Sequence, residues 1–318
     1  MLNVDVKSYL DEFYSLNLTP PYECDPVVAR ENFRRRMTKF KDGHRIEVGG
    51  TDDIRIPTSS GSVRARVYRP LGAASGDPVP TLVFFHGGGW VVGDIDTHDN
   101  YARTLCASTR SVVVSVDYRK APEAPFPAAA DDAIDSVRWA TAEVGALGGD
   151  PRRVAVAGVS AGGNLAAVAA LDARQQGIDL ALQVLVYPCI DPVSAYDSMQ
   201  ANAEGYLLSK LEMDWYNHHY SGHDPALARD PRRSPIFADV ARDLAPAIVV
   251  TAEYDPLCDE GNAYAAKLAR AGIDTELLCF PGTVHGFFGF GPDVPSAQQA
   301  IRTTCFSIAH KLSRSHEA

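Results

Sequence analysis

Six short apolar runs recur along the chain, at 81–85, 112–116, 154–157, 184–187, 248–251 and 277–280. Continuous runs of this length suit strands buried on both faces, as in a parallel sheet. Residues 63–68, Val-Arg-Ala-Arg-Val-Tyr, instead alternate apolar and polar, the period of a half-exposed strand. Between the runs the period lengthens to that of a helix. Ile134, Val137, Thr141 and Val144 share one helical face, as do Tyr264, Leu268 and Ala271, and again Ile301, Cys305, Ile308 and Leu312. Residues 161–175 are nearly all small or apolar, which predicts a helix packed tightly on the sheet. Strands alternating with helices predict a doubly wound α/β core.

Two stretches stand outside this alternation. The chain opens with two helix-like segments. In the second, Phe33, Met37 and Phe40 form one face, and Arg34, Arg35 and Arg36 read as its solvated polar side. The segment 195–235 begins as a loop. Ser209 and Glu212 then match a capping box, in which the serine hydroxyl and the glutamate carboxylate cover free amides at a helix start. The helix that follows carries Leu211, Trp215 and Tyr216, and the whole segment reads as an insertion into the core.

Composition narrows the class. With 46% hydrophobic and 22% charged residues the chain is an ordinary globular one, so disorder is excluded. Lys+Arg number 30 and Asp+Glu 40, so the net charge is 30 − 40 = −10. An acidic chain with a single short arginine run repels phosphate backbones, so no nucleic-acid partner is expected. The first ten residues lack the pattern of a signal peptide, and there is no eighteen-residue apolar run for stable membrane insertion. The six cysteines have no short pair spacing and read as reduced, mostly buried thiols, so a cytoplasmic protein is expected.

Four groups that carry chemistry follow apolar runs. Gly158-Val159-Ser160-Ala161-Gly162 fits G-x-S-x-G between a strand and a helix, the context of a nucleophile elbow. His86-Gly87-Gly88-Gly89-Trp90 follows an earlier strand. Glycines there let backbone amides reach the oxyanion of a tetrahedral intermediate. Asp255 and His285 each lie just past an apolar run, in the order Ser, Asp, His. All four therefore fall on the carboxyl edge of a parallel sheet, where ligands bind in open α/β folds.

With these residues in view, the chain resembles the hormone-sensitive-lipase-like esterases of the α/β-hydrolases, also called bacterial family IV. The matches run in family order from His86 to Phe288: HGGGW at 86–90, Asp117-Tyr118-Arg119 with Ala121-Pro122-Glu123, Ser160-Ala161-Gly162-Gly163-Asn164, Tyr187-Pro188, Asp255-Pro256-Leu257 and His285-Gly286-Phe287. The resemblance implies a mostly parallel eight-stranded sheet flanked by helices, with a helical cap. The cap would comprise 1–45 and 195–235, and the catalytic core 46–194 and 236–318. It implies Ser160 as nucleophile, His285 as base and acid, Asp255 as its orienter, and the amides of Gly88, Gly89 and Ala161 as oxyanion hole. The substrate would be a small ester with a short-to-medium acyl chain, hydrolysed without metal or cofactor; a homodimer is left open. Trp90, Tyr206, Trp215 and Tyr216 are candidates for lining the substrate pocket. Two positions depart from the family pattern: Val159 stands where Asp or Thr is usual, and Lys120 where Leu is usual. Two alternatives stay open, a receptor-like binding protein, against which the presence of His285 argues, and an amide or formamide hydrolase.

Other readings are set aside. His218, His219 and His223 include a metal-like spacing, but Gly222 and Pro225 break the helix and no H-E-x-x-H is present. Cys258 and Cys279 read as structural thiols, His86 as a brace of the glycine loop, and Arg119 and Glu123 as braces of a turn.

Overall fold

The computed structural model describes residues 1–39, 45–72, 78–222 and 224–314. Eight strands form one sheet: β1 (Gly50–Thr58), β2 (Gly61–Arg69), β3 (Val79–Phe85), β4 (Val112–Asp117), β5 (Gly149–Val159), β6 (Leu182–Val186), β7 (Ala247–Tyr254) and β8 (Thr275–Val284). Their order is β1-β2-β4-β3-β5-β6-β7-β8. The pairs β1·β2 and β2·β4 are antiparallel, and every later pair is parallel. This is an α/β-hydrolase sheet, and each predicted run lies on a strand or its edge.

Alternation along the strands splits the core in two. Val83 and Phe85 face one side with α4 (Ala128–Glu143), α5 (Ala161–Gln175) and α9 (Cys258–Arg270). Leu82 and Phe84 face the other, with α3 (Asp99–Thr109) and α10 (Pro295–Arg314). In α5 every residue from Ala161 to Leu171 is buried, because small side chains let the helix lie close on the strands.

Helices α1 (Val4–Ser15) and α2 (Pro26–Lys39) precede the sheet. Val6 and Leu10 of α1 are buried in the second core cluster, so α1 packs against the core as well as beside the site. Between β6 and β7 the chain forms α6 (Asp197–Ala201), α7 (Lys210–Ser221) and α8 (Pro225–Ala228). The capping box forms as predicted: Glu212 N–H donates to Ser209 Oγ at 3.2 Å, and Ser209 N–H to the Glu212 carboxylate at 2.8 Å.

One expectation needs correction. The run 277–280 is not buried on both faces. It lies on β8, the last strand, where alternate residues are open and Leu277 is 43% exposed. Leu211 is 50% exposed and turned away from the packed side of its helix. Cys279 is exposed and Cys24 half-buried; the other four thiols are buried, and all six are free. Phe40, expected on the apolar face of α2, lies outside the described residues. Among the described residues no helix is long and apolar enough to cross a membrane.

Candidate active site

Ser160 sits at the junction of β5 and α5 with φ 58° and ψ −122°, a backbone conformation costly for a residue with a side chain. The junction is held by close backbone approach. A Cβ on Gly158 would lie 2.0 Å from the Gly162 carbonyl oxygen, and one on Gly162 would lie 2.0 Å from that of Phe85. Only glycine fits at either place, which is the physical content of G-x-S-x-G here. Ser160 N–H donates to Val186 O at 2.9 Å, pinning the turn to the next strand.

The two partners arrive from the next two strands. Asp255 follows β7 and is fully buried; Leu257 N–H donates to its Oδ1 at 2.9 Å. His285 follows β8 and is 8% exposed. Its Nδ1 lies 2.7 Å from Asp255 Oδ2, and its Nε2 3.0 Å from Ser160 Oγ. The three side chains predicted from chain order thus form one hydrogen-bonded line.

The glycine loop runs beside Ser160. Val91 and Val92 donate their N–H groups to Gly88 O at 3.0 and 2.9 Å, closing a tight turn. The N–H groups of Gly88, Gly89 and Ala161 donate no hydrogen bond among the described residues. All three residues border the same cavity as Ser160 and His285, about 110 Å³ in volume. His86 braces the loop as expected: its ring stacks on Tyr118 at 4.2 Å, and Tyr118 Oη donates to His86 O at 2.9 Å. Burial, aided by nearby Lys120, pushes the His86 imidazole down to about 3, so the ring is neutral.

Of the four aromatic candidates only Tyr216 places its ring against the cavity, where it packs on Gly89. Trp90 borders the cavity, but its ring is 2% exposed and stacked on Tyr220 at 4.3 Å, joining core to α7. Tyr206 lies outside it, its ring tilted against Tyr254 at 5.0 Å. Trp215 also lies outside, edge-on to Tyr216 and His219. Side-chain direction on α7, not residue type, decides which aromatic faces the site.

The cavity walls hold residues that the sequence reading passed over. Arg36, Met37 and Phe33 line it from α2, and Leu207, Leu208 and Glu212 from the segment between β6 and β7. Arg36 corrects the expectation of a solvated arginine face: Arg34 pairs with Asp94 at 2.5 Å, but Arg36 turns inward over Phe13 and Phe33. The signal was present in the spacing, since positions 33, 36 and 37 share one helical face. Asn202 was also missed; its amide donates to Glu253 O and Asp255 O at 3.3 and 3.2 Å, fixing the loop that carries the carboxylate.

The remaining candidates behave structurally. Arg119 grips Asp132 with Nε and Nη2, and Glu123 is gripped by Arg30. Cys258 is buried but Cys279 is exposed, so only the first fits the reading of a buried thiol. His218 and His219 stand on α7, and His223 lies outside the described residues. No group of three or more metal-binding side chains occurs among the described residues.

Comparison with known proteins agrees with this geometry. A family profile described as alpha/beta hydrolase fold matches residues 82–289. An ethyl acetate hydrolase of Pseudomonas putida is 38% identical over 94% of this chain and 96% of its own length. A carboxylic ester hydrolase of Mycobacterium tuberculosis, LipN, is 43% identical over 83% of this chain and 70% of its own. The solved structure of a hyperthermophilic esterase from the archaeon Pyrobaculum calidifontis superposes with a TM-score of 0.92 at 38% identity, covering 97% of this chain and 98% of that one.

Proposed function

The chain belongs to the α/β-hydrolase fold family, in its hormone-sensitive-lipase-like branch, and is a carboxylic ester hydrolase, and we propose that it cleaves small esters through an acyl-enzyme on Ser160. His285 Nε2 takes the Ser160 proton as Oγ attacks the ester carbonyl carbon. Asp255 holds the imidazole in the tautomer with Nδ1–H and stabilises the imidazolium. The amides of Gly88, Gly89 and Ala161 receive the negative charge that develops on the carbonyl oxygen. His285 returns the proton to the departing alkoxide, and the alcohol leaves. Water, deprotonated by the same imidazole, then releases the acid and restores Ser160.

One observation carries this reading: the unbroken line from Asp255 through His285 to Ser160, at 2.7 and 3.0 Å. It ends beside three backbone donors that no other group uses among the described residues. Helices α1 and α2 and the segment around α7 would act together as a cap over this point. The small cavity at Ser160 and its apolar walls favour short-to-medium acyl chains. Each methylene adds about 0.8 kcal/mol of binding while room remains, so rates should peak at roughly four to eight carbons.

Hydrolysis of neutral p-nitrophenyl esters of graded chain length, by wild type and Ser160→Ala, tests the proposal. Wild type should be fastest at the shorter lengths, and the variant should lose on the order of 10⁶ in turnover. A folded variant within tenfold of wild type would overturn it.

A further inference from the structure

We propose that Arg36 makes the cavity above Ser160 a site for esters whose acyl part ends in a carboxylate, that is, half-esters of dicarboxylic acids. The proposal rests on the reading of Ser160 as nucleophile and adds the class of acyl group.

The first observation is where Arg36 stands. A second cavity, about 410 Å³, lies between α1, α2 and the start of α7. Phe33, Arg36, Leu207, Glu212 and Tyr216 line both it and the cavity that holds Ser160, so they form the boundary between the two. An acyl chain that outgrows the inner cavity must pass this boundary.

The second observation is what Arg36 lacks. Its guanidinium carbon lies 4.8 Å from the ring centre of Phe33 and 5.3 Å from that of Phe13. Among the described residues it makes no ion pair and no hydrogen bond. Elsewhere on the same helix Arg30 binds Glu123 and Arg34 binds Asp94. In a chain with 40 acidic and 30 basic residues, this half-buried arginine is held by two rings and has no carboxylate within ion-pair distance among the described residues. A guanidinium keeps its charge in any protein setting and offers a planar pair of N–H donors that matches a carboxylate. The aromatic faces fix its direction without consuming those donors.

The facing acidic groups are compatible with such a ligand. Glu212 Oε2 is already engaged, accepting from Ser209 N–H and Ser209 Oγ at 2.8 and 3.0 Å, so this carboxylate is turned to the capping box and not paired with Arg36. Glu204 is exposed at the outer rim, which disfavours an anion that extends past Arg36. The carboxylate should therefore stop at the boundary, and one acyl length should be best.

The test compares monoethyl esters of linear dicarboxylic acids with ethyl alkanoates of the same length, followed by pH-stat. The readout is the ratio of kcat/KM, half-ester over neutral ester. Wild type should show one length at which the ratio is highest and exceeds one. Arg36→Met should lower that ratio roughly tenfold or more, and Arg36→Lys should restore part of it. A ratio below one at every length in wild type, or one unchanged in Arg36→Met, would overturn the proposal. If Arg36→Met does not fold, competition in wild type decides. Free adipate should inhibit hydrolysis of ethyl butyrate competitively while neutral adipamide does not; equal inhibition, or none, would overturn it. Hydrolysis of the neutral esters reports separately on Ser160, so failure of that reading shows as loss of both activities.

Discussion

Arg30 closes on both carboxylate oxygens of Glu123, at 2.7 and 2.6 Å, although 93 residues separate them. The same guanidinium donates to Val91 O and Ala121 O, each at 2.8 Å. The Arg30 bond holds the Glu123 carboxyl down at about 2. One side chain thus ties helix α2 to the turn that carries Gly88 and to the loop after β4.

Breaking that tie should loosen α2 while leaving the Asp255–His285–Ser160 line in place. Arg30→Ala should speed amide exchange across 26–39 and raise KM several-fold, with a smaller effect on kcat. Hydrogen-exchange mass spectrometry beside steady-state kinetics checks this. Unchanged exchange in 26–39 would mean that α2 is held by its apolar face alone.

Gly88 adopts φ +117°, and a Cβ there would lie 2.2 Å from the Val92 carbonyl oxygen. Gly88→Val should therefore tilt the loop amides away from the reacting carbonyl. Losing one such donor costs roughly 10²–10³ in turnover. A folded variant with normal kcat and only a raised KM would mean that the loop merely binds substrate.

His86 links stability to pH. Folded, its imidazole stays neutral down to about 3; unfolded, it takes a proton near 6.5. The unfolded state binds more protons between those values, so this contribution is complete above 6.5 and is lost as pH falls toward 3. The slope is at most about 1.4 kcal/mol per pH unit. Denaturant unfolding between pH 7 and 5 should show a shallower fall for His86→Gln than for wild type, and equal slopes would contradict it.

Cys279 is exposed on β8, and its interaction with the Cys258 thiol favours its thiolate. Among the six cysteines it should be alkylated first by iodoacetamide, and Cys258→Ser should slow that reaction. Peptide mapping at short times checks the order.

The Asp255–His285–Ser160 hydrogen-bonded line was legible in the sequence because each member sits just past a strong local signal. Ser160 lies in a strand–turn–helix motif, and Asp255 and His285 follow apolar runs, so the parallel sheet brings all three to one edge. The roof was not legible in the same way. Its faces form between α2 and α7, segments far apart in the chain, and nothing local to Trp215 or Tyr206 says that they turn away while Tyr216 turns in. Arg36 beside Arg34 and Arg35 reads as surface charge until Phe13 and Phe33 supply its rings. The run 277–280 carries the composition of an inner strand but occupies the sheet edge, a fact set by topology.

The central claim is that Ser160 Oγ becomes acylated. A fluorophosphonate forms a stable adduct only with a serine activated in this way. Intact-mass analysis should show one adduct per chain, peptide mapping should place it on Ser160, and Ser160→Ala should take up none. An unlabelled wild-type protein that still hydrolyses esters, or an adduct on another residue, would contradict the account.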